Sequence, residues 1–208
     1  MRNLSNSVIE RILEPYGVRS DHTLYEQIGV YVEILLYWNR KISLTSVTNP
    51  EEIVKFHFGE SFFASSVVPI HDGRLADVGS GAGFPGIPLR MVKPGLDLTL
   101  IESNAKKCAF MSEVVRRLNL DHVNVVHSRM ESVHSGPNAF DFIAARAIGR
   151  HNELLSWAMQ RLTHSGTVLI WVGEDDAREL SHNPDWLWQT PALIPGSRRR
   201  YILAGSPK

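Results

Sequence analysis

Three features of the sequence predict an α/β chain. Apolar runs alternate with helical periods from residue 74 onward, a glycine-rich turn follows the first run, and everything before it reads as helix. The fold expected is a doubly wound, mostly parallel sheet with an N-terminal helical extension, residues 1–66 forming the extension and 67–208 the sheet domain. The 208 residues are 43% hydrophobic and 21% charged, ordinary globular usage and enough for one sizeable core. Cys108 is the single cysteine, which excludes an internal disulfide and fits a reducing compartment, so a cytoplasmic location is expected. The start, Met1 to Ser7, has no apolar signal core behind it, and no apolar run approaches the ~20 residues of a spanning helix, so no membrane partner is expected. With 22 basic and 22 acidic residues the formal charge is zero, and any nucleic-acid surface must come from local segregation of charge. The nine histidines include no pair at ligand spacing, and no metal is expected.

In chain order, Val8, Ile9, Ile12 and Leu13 form a short apolar stripe that Pro15 and Gly17 end. Ser20 or Asp21 can cap the next helix, whose Leu24, Ile28, Tyr31, Val32, Leu35 and Leu36 recur at helical spacing. Asn49-Pro50-Glu51-Glu52 combines a capping amide, a proline at the first position and acids at the positive end of the dipole. Strands are expected at 74–78, 98–101, 123–127, 140–145 and 167–172, with helices near 85–93, 104–119, 149–164 and 174–182. Two last strands, Trp186 to Leu193 and Arg200 to Ala204, should form a hairpin through Pro195-Gly196-Ser197.

The sharpest motif is Asp77-Val78-Gly79-Ser80-Gly81-Ala82-Gly83-Phe84-Pro85-Gly86, between the first strand and its helix. Gly79, Gly81 and Gly83 let the chain turn tightly and a ligand approach the backbone. A dinucleotide fingerprint wants glycine where Phe84 stands. Asp77, at the mouth of the loop, would repel a pyrophosphate and attract a sulfonium or an ammonium, which favours S-adenosylmethionine over NAD. Glu102 ends the next strand about 20 residues further on, where an acid can accept bonds from both ribose hydroxyls. After the third strand, Ser128-Arg129-Met130-Glu131 offers a backbone amide and an acid for the adenine edge. Arg146 ends the fourth strand, and strand carboxyl ends line the ligand crevice of an open sheet.

These residues resemble the glucose-inhibited division protein B family, from about residue 20 to 204. The resemblance rests on Tyr37-Trp38-Asn39-Arg40, Leu44-Thr45-Ser46-Val47, the glycine loop with its continuation Ile87-Pro88-Leu89, Ser128-Arg129 and Arg146-Ala147. It implies a Rossmann-like class I methyltransferase that methylates nitrogen 7 of a guanine in small-subunit ribosomal RNA. It also implies cofactor contact at Gly79, Phe84, Met130, Glu131 and Arg146. Two positions depart from the family pattern. His57-Phe58-Gly59-Glu60-Ser61 stands where the family usually has His-x-x-Asp-Ser, and Trp171-Val172-Gly173 where it often has Leu-Lys-Gly.

The chemistry visible in the residues is compatible with that activity. The motif of exocyclic-amine methyltransferases is absent, since Arg146-Ala147-Ile148-Gly149 follows the fourth strand. Cys108 sits on the helix after Glu102, where packing suits it better than attack on a pyrimidine. Guanine nitrogen 7 carries a lone pair and no proton, so positioning suffices. Lys106, Lys107, Arg116 and Arg117, Arg198 to Arg200, and Arg40 with Lys41 can contact phosphates. The expected partner is ribosomal RNA or the small-subunit particle, met by a monomer, with Arg146 as the catalytic residue. Two other readings stay open: methylation of another RNA or a small molecule, and a cofactor-binding RNA chaperone without catalysis.

Overall fold

The computed structural model describes residues 4–18, 21–133 and 135–208. Its centre is an eight-stranded sheet of β1 (Gly73–Val78), β2 (Leu96–Glu102), β3 (Val123–His127), β4 (Phe140–Arg146), β5 (Leu162–Gly173), β6 (Trp186–Trp188), β7 (Ala192–Leu193) and β8 (Arg200–Pro207). The order is β3-β2-β1-β4-β5-β8-β6, with β7 also on β8. β1 to β5 pair parallel, and β8 runs antiparallel to β5, β6 and β7. The strand order reverses between β1 and β4, and a crevice opens at their carboxyl ends.

The helices are α1 (Asn6–Leu13), α2 (His22–Asn39), α3 (Pro50–Ile53), α4 (Glu60–Val67), α5 (Gly86–Val92), α6 (Ala105–Arg117), α7 (His151–Met159) and α8 (Glu174–Leu180). Alternate strand residues face two apolar clusters. Leu98, Leu100, Ala144 and Trp171 meet α1 to α6, while Ile143, Ala145, Val168 and Ile170 meet α7 and α8. The helices before β1 therefore share one continuous core with a face of the sheet. Among the described residues no helix is long and apolar enough to cross a membrane.

Helix starts follow the capping logic. Asp21 caps α2 by accepting from Leu24 N, and Asn49 caps α3 by accepting from Glu51 N and Glu52 N. The alternative cap Ser20 lies outside the described residues, as do Met1 to Asn3. Between α3 and α4 the helix widens into a π turn, Val54–Gly59. Gly59 is required there, since a Cβ would stand 2.6 Å from Cε2 of Tyr16.

Two expected elements are corrected. The helix expected over 149–164 stops at Met159, because Leu162 already pairs with Phe140 as the first residue of β5. The strand expected from Trp186 to Leu193 is two strands, interrupted at Gln189 to Pro191, and proline has no amide for the ladder. The Pro195-Gly196-Ser197 turn does join β7 to β8.

An aromatic stack joins α2 to the loop after β1. The Tyr31 ring lies parallel to Phe84, centroids 5.3 Å apart, with Phe58 edge-on to both. The Tyr31 hydroxyl donates to Ala82 O at 2.6 Å in a fully buried setting. Burial, with the nearby Asp77 carboxylate, pushes the Tyr31 phenol well above its usual range, so it remains a donor. Tyr31→Phe keeps the ring and strands a buried carbonyl. We expect it to lower stability by about 1–3 kcal/mol, read as a reduced urea midpoint with unchanged slope. An unaltered midpoint would show that this bond carries no weight.

Candidate cofactor site

The loop after β1 closes on itself before it meets any ligand. Ser80 N and Gly79 N both donate to Ile101 O, and Gly83 N donates to Ser80 O. Gly79, Gly81 and Gly83 take φ of +70°, +58° and +79°, the left-handed region where side chains are costly. At Gly83 space is also limiting, since a Cβ would lie 2.5 Å from the Tyr31 hydroxyl. Gly79 faces the cleft, and Gly83 faces the helical extension.

Glu102 is 8% exposed at the end of β2 and braces the loop. Its Oε2 accepts from Gly81 N at 2.9 Å and its Oε1 from Asn104 N at 2.8 Å. Oε1 also accepts from Ser103 Oγ at 3.4 Å, while Oε2 retains a second lone pair for a ligand hydroxyl. Around it lies a cleft of about 360 Å³, lined by Gly79, Glu102, Ser128, Met130, Ile148 and Arg150. Two larger grooves, near Tyr25 and near Tyr16, lie on the helical side, away from the strand carboxyl ends. Met130 is 6% exposed in a short 3-10 turn, Met130–Ser132. Glu131 lies on the surface, paired with Arg150 Nη1 at 2.7 Å; its own backbone N–H and Arg150 hold its carboxyl below the usual range.

Three expected contacts sit differently. Asp77 is not open at the loop mouth. It is fully buried behind the loop, where Oδ2 accepts from Gly86 N at 2.9 Å and Oδ1 makes no hydrogen bond. The Phe84 side chain is consumed by the stack, with Tyr31 on one side and His57 on the other, at 4.9 Å. Any ligand contact at Phe84 is thus confined to its backbone. Arg146 follows the Val78–Ala145 register pair and so stands level with Gly79, but its side chain runs onto the helical extension. There Nη2 donates to Phe56 O at 2.8 Å, approaches His57 Nδ1 at 3.4 Å and pairs with Glu60 Oε2 at 3.3 Å.

The residues holding Arg146 were not singled out from the sequence as site residues. An arginine only donates, so His57 Nδ1 accepts and Nε2 carries the proton, donating to Thr45 Oγ1 at 2.8 Å. Burial and the Arg146 charge lower the His57 pKa to about 4, which keeps the ring neutral at pH 7. Asn39 Oδ1 in turn shapes the Thr45 loop by accepting from Leu44 N and Thr45 N. Beyond Arg146, Ala147 takes φ +55°, a strained conformation for a residue with a Cβ, and Ile148 then packs beside Gly79. Among the described residues no group of acids, cysteines and histidines could hold a metal ion.

Burial raises the Asp77 pKa to about 7 from 3.8, against the lowering effect of the Gly86 N–H. The folded chain therefore binds more protons than the unfolded one between about pH 4 and pH 7, and this group's contribution to stability falls as pH rises through that window. Asp77→Asn keeps an acceptor for Gly86 and removes the charge. It should exceed the native chain in stability by at least about 1 kcal/mol at pH 8 and match it near pH 4, measured by urea denaturation at both pH values. Equal stability at pH 8 would mean that the buried carboxylate carries no penalty.

The family model of GidB, rRNA small subunit methyltransferase G, matches residues 24–190. A Ribosomal RNA small subunit methyltransferase G of Desulfitobacterium hafniense (strain Y51) is 39% identical over 158 residues, 74% of this chain and 65% of that protein's length. The protein of the same name from Alkaliphilus metalliredigens (strain QYMF) is 33% identical over 183 residues, 86% of this chain and 77% of the relative. A SAM dependent methyltransferase from Aquifex aeolicus superposes with a TM-score of 0.62 at 15% identity, covering 76% of this chain and 93% of that one, which establishes the fold. With a model matched across most of its length and relatives above 30% identity, this chain belongs to the GidB family, rRNA small subunit methyltransferase G.

Proposed function

We propose that this protein transfers a methyl group from S-adenosylmethionine to nitrogen 7 of a guanine in small-subunit ribosomal RNA. The observation that carries the reading is the Glu102-braced glycine loop at the β1/β4 crevice of a GidB-family chain. The donor set of the cleft suits the cofactor. Glu102 keeps acceptor capacity for ribose hydroxyls, Gly79 offers a bare backbone, Met130 and Ile148 give apolar walls, and the Glu131 region supplies polar groups for an adenine edge. Gly81, Gly83, Asp77 and Phe84 act on the same site from behind, by holding the loop's shape. In this reading residues 67–208 bind the cofactor, residues 1–66 carry part of the RNA face, and the protein works in the cytoplasm as a monomer.

When bound, S-adenosylmethionine supplies an electrophilic methyl group on a sulfonium. The nitrogen 7 lone pair would form the new N–C bond, with the C–S pair left on sulfur, so the purine would gain a fixed positive charge. No proton moves, so the chain needs no general base. This agrees with a neutral His57 already committed to Arg146 and Thr45. What the chain supplies is position and exclusion of water. The buried Asp77 carboxylate, costly to the empty protein, is repaid by attraction to a cationic ligand. The RNA surface is narrower than the basic clusters suggested: Arg199 pairs with Glu174 and Asp175, and Arg200 with Glu60. Arg40, Lys41, Lys106, Arg116 and Arg117 remain exposed for phosphate contact.

Purified protein, S-adenosylmethionine and small-subunit particles should yield 7-methylguanosine in a nucleoside digest, at a site mapped by borohydride reduction and aniline cleavage. Transfer to a different nucleoside or to a free metabolite alone would overturn the substrate. Glu102→Ala removes the brace on Gly81 together with charge-assisted ribose bonds. Its affinity for S-adenosylhomocysteine should fall by roughly 10- to 100-fold in calorimetry. Unchanged affinity would exclude Glu102 from the site.

A further inference from the structure

Glu60 lies outside the cofactor cleft, yet it is only 2% exposed and faces two guanidinium groups. Oε2 meets Arg146 Nη2 at 3.3 Å, while Oε1 accepts from Arg200 Nε at 2.9 Å and Nη2 at 2.8 Å. Its main-chain oxygen accepts from Trp171 Nε1 at 2.8 Å. Side chains from β4, β5 and β8 thus converge on the first residue of α4. With Arg200 holding one carboxylate oxygen, the other is left to Arg146 in one orientation.

The bonding of Arg146 is uneven. Nη2 donates to Phe56 O and His57 Nδ1 and lies in ion-pair range of Glu60 Oε2, whereas Nη1 is buried and makes no hydrogen bond. A buried donor without an acceptor is costly and calls for a reason. This one belongs to a residue at the crevice, one position past the pair that aligns β4 with the glycine loop. Transfer carries positive charge from the sulfonium onto the purine, which two uncompensated arginines would oppose and the Glu60 carboxylate offsets.

We propose that Glu60 is a positioning residue for methyl transfer, fixing the Arg146 guanidinium where β4 ends beside the glycine loop. The proposal rests on the guanine reading above. Glu60→Gln keeps the volume and removes the charge, Glu60→Asp keeps the charge, and Arg146→Ala removes the guanidinium. In single-turnover assays on small-subunit particles saturated with cofactor, Glu60→Gln should lose roughly 100-fold in rate, the scale of a misplaced reacting group. Its affinity for S-adenosylhomocysteine should stay within about threefold of native. Glu60→Asp should recover part of the rate, and Glu60→Gln combined with Arg146→Ala should be no slower than Arg146→Ala alone.

Native-like transfer by folded Glu60→Gln would overturn the proposal. So would a rate loss that tracks the folded fraction, or additive losses in the double variant, each of which marks a purely structural role. Arginine-15N NMR separates this from failure of the substrate reading. Slow Nη rotation at Arg146 in the native protein, lost in Glu60→Gln, shows the hold on Arg146 whatever the substrate. Free rotation in the native protein overturns it. If native protein transfers no methyl to guanine while that hold is present, the substrate reading falls and the hold on Arg146 stands.

Discussion

The missing side chain at Gly83 lets the Tyr31 hydroxyl reach the Ala82 carbonyl, and much of the site depends on that one buried bond. Tyr31 belongs to α2 and Ala82 to the loop after β1, so the shape of a cofactor loop is set from a helix far away in sequence. The stack of Tyr31, Phe84 and His57 continues the same constraint toward Arg146. From there Phe56, His57 and Glu60, on the π turn and the start of α4, hold the guanidinium, and Arg200 closes the set from β8.

The electrostatics on the two sides of this stack differ in kind. Asp77 is fully buried and Arg146 partly so, yet neither is fully bonded: Asp77 Oδ1 and Arg146 Nη1 lack hydrogen bonds. Burial pushes the Asp77 carboxyl up and the Arg146 guanidinium down, in both cases toward the neutral form. Unsatisfied charge of this sort detracts from folding. At Asn39, Asn49 and Asn104, by contrast, one side chain serves two backbone amides.

What could be read from the sequence was local. The alternation of strand and helix, the glycine loop and the acid ending β2 are each written within a short window, and the parallel order follows from them. The caps at Asp21 and Asn49 were legible for the same reason. The break in the strand after Trp188 was also available, in Pro191, but the apolar residues around it outweighed that signal. The roles of Glu60 and Arg200 were not legible, because their pairing spans 140 residues and exists only once β8 has returned beside β5. The side-chain direction of Phe84 was equally hidden. A motif shows that an aromatic ring follows the glycines, and only the packing of α2 shows which way it turns.

The bond between Tyr31 and the loop also has a thermodynamic meaning. A contact that shifts α2 and the Thr45 loop changes the stack, and with it the free energy of the loop conformation that receives the cofactor. Such coupling is reciprocal: whatever factor RNA imposes on cofactor affinity, cofactor imposes on RNA affinity. On the proposed reading, in which RNA meets the helices ahead of the sheet, they form the second port of a two-ligand linkage, and calorimetry with one ligand at saturating levels of the other measures its size and sign.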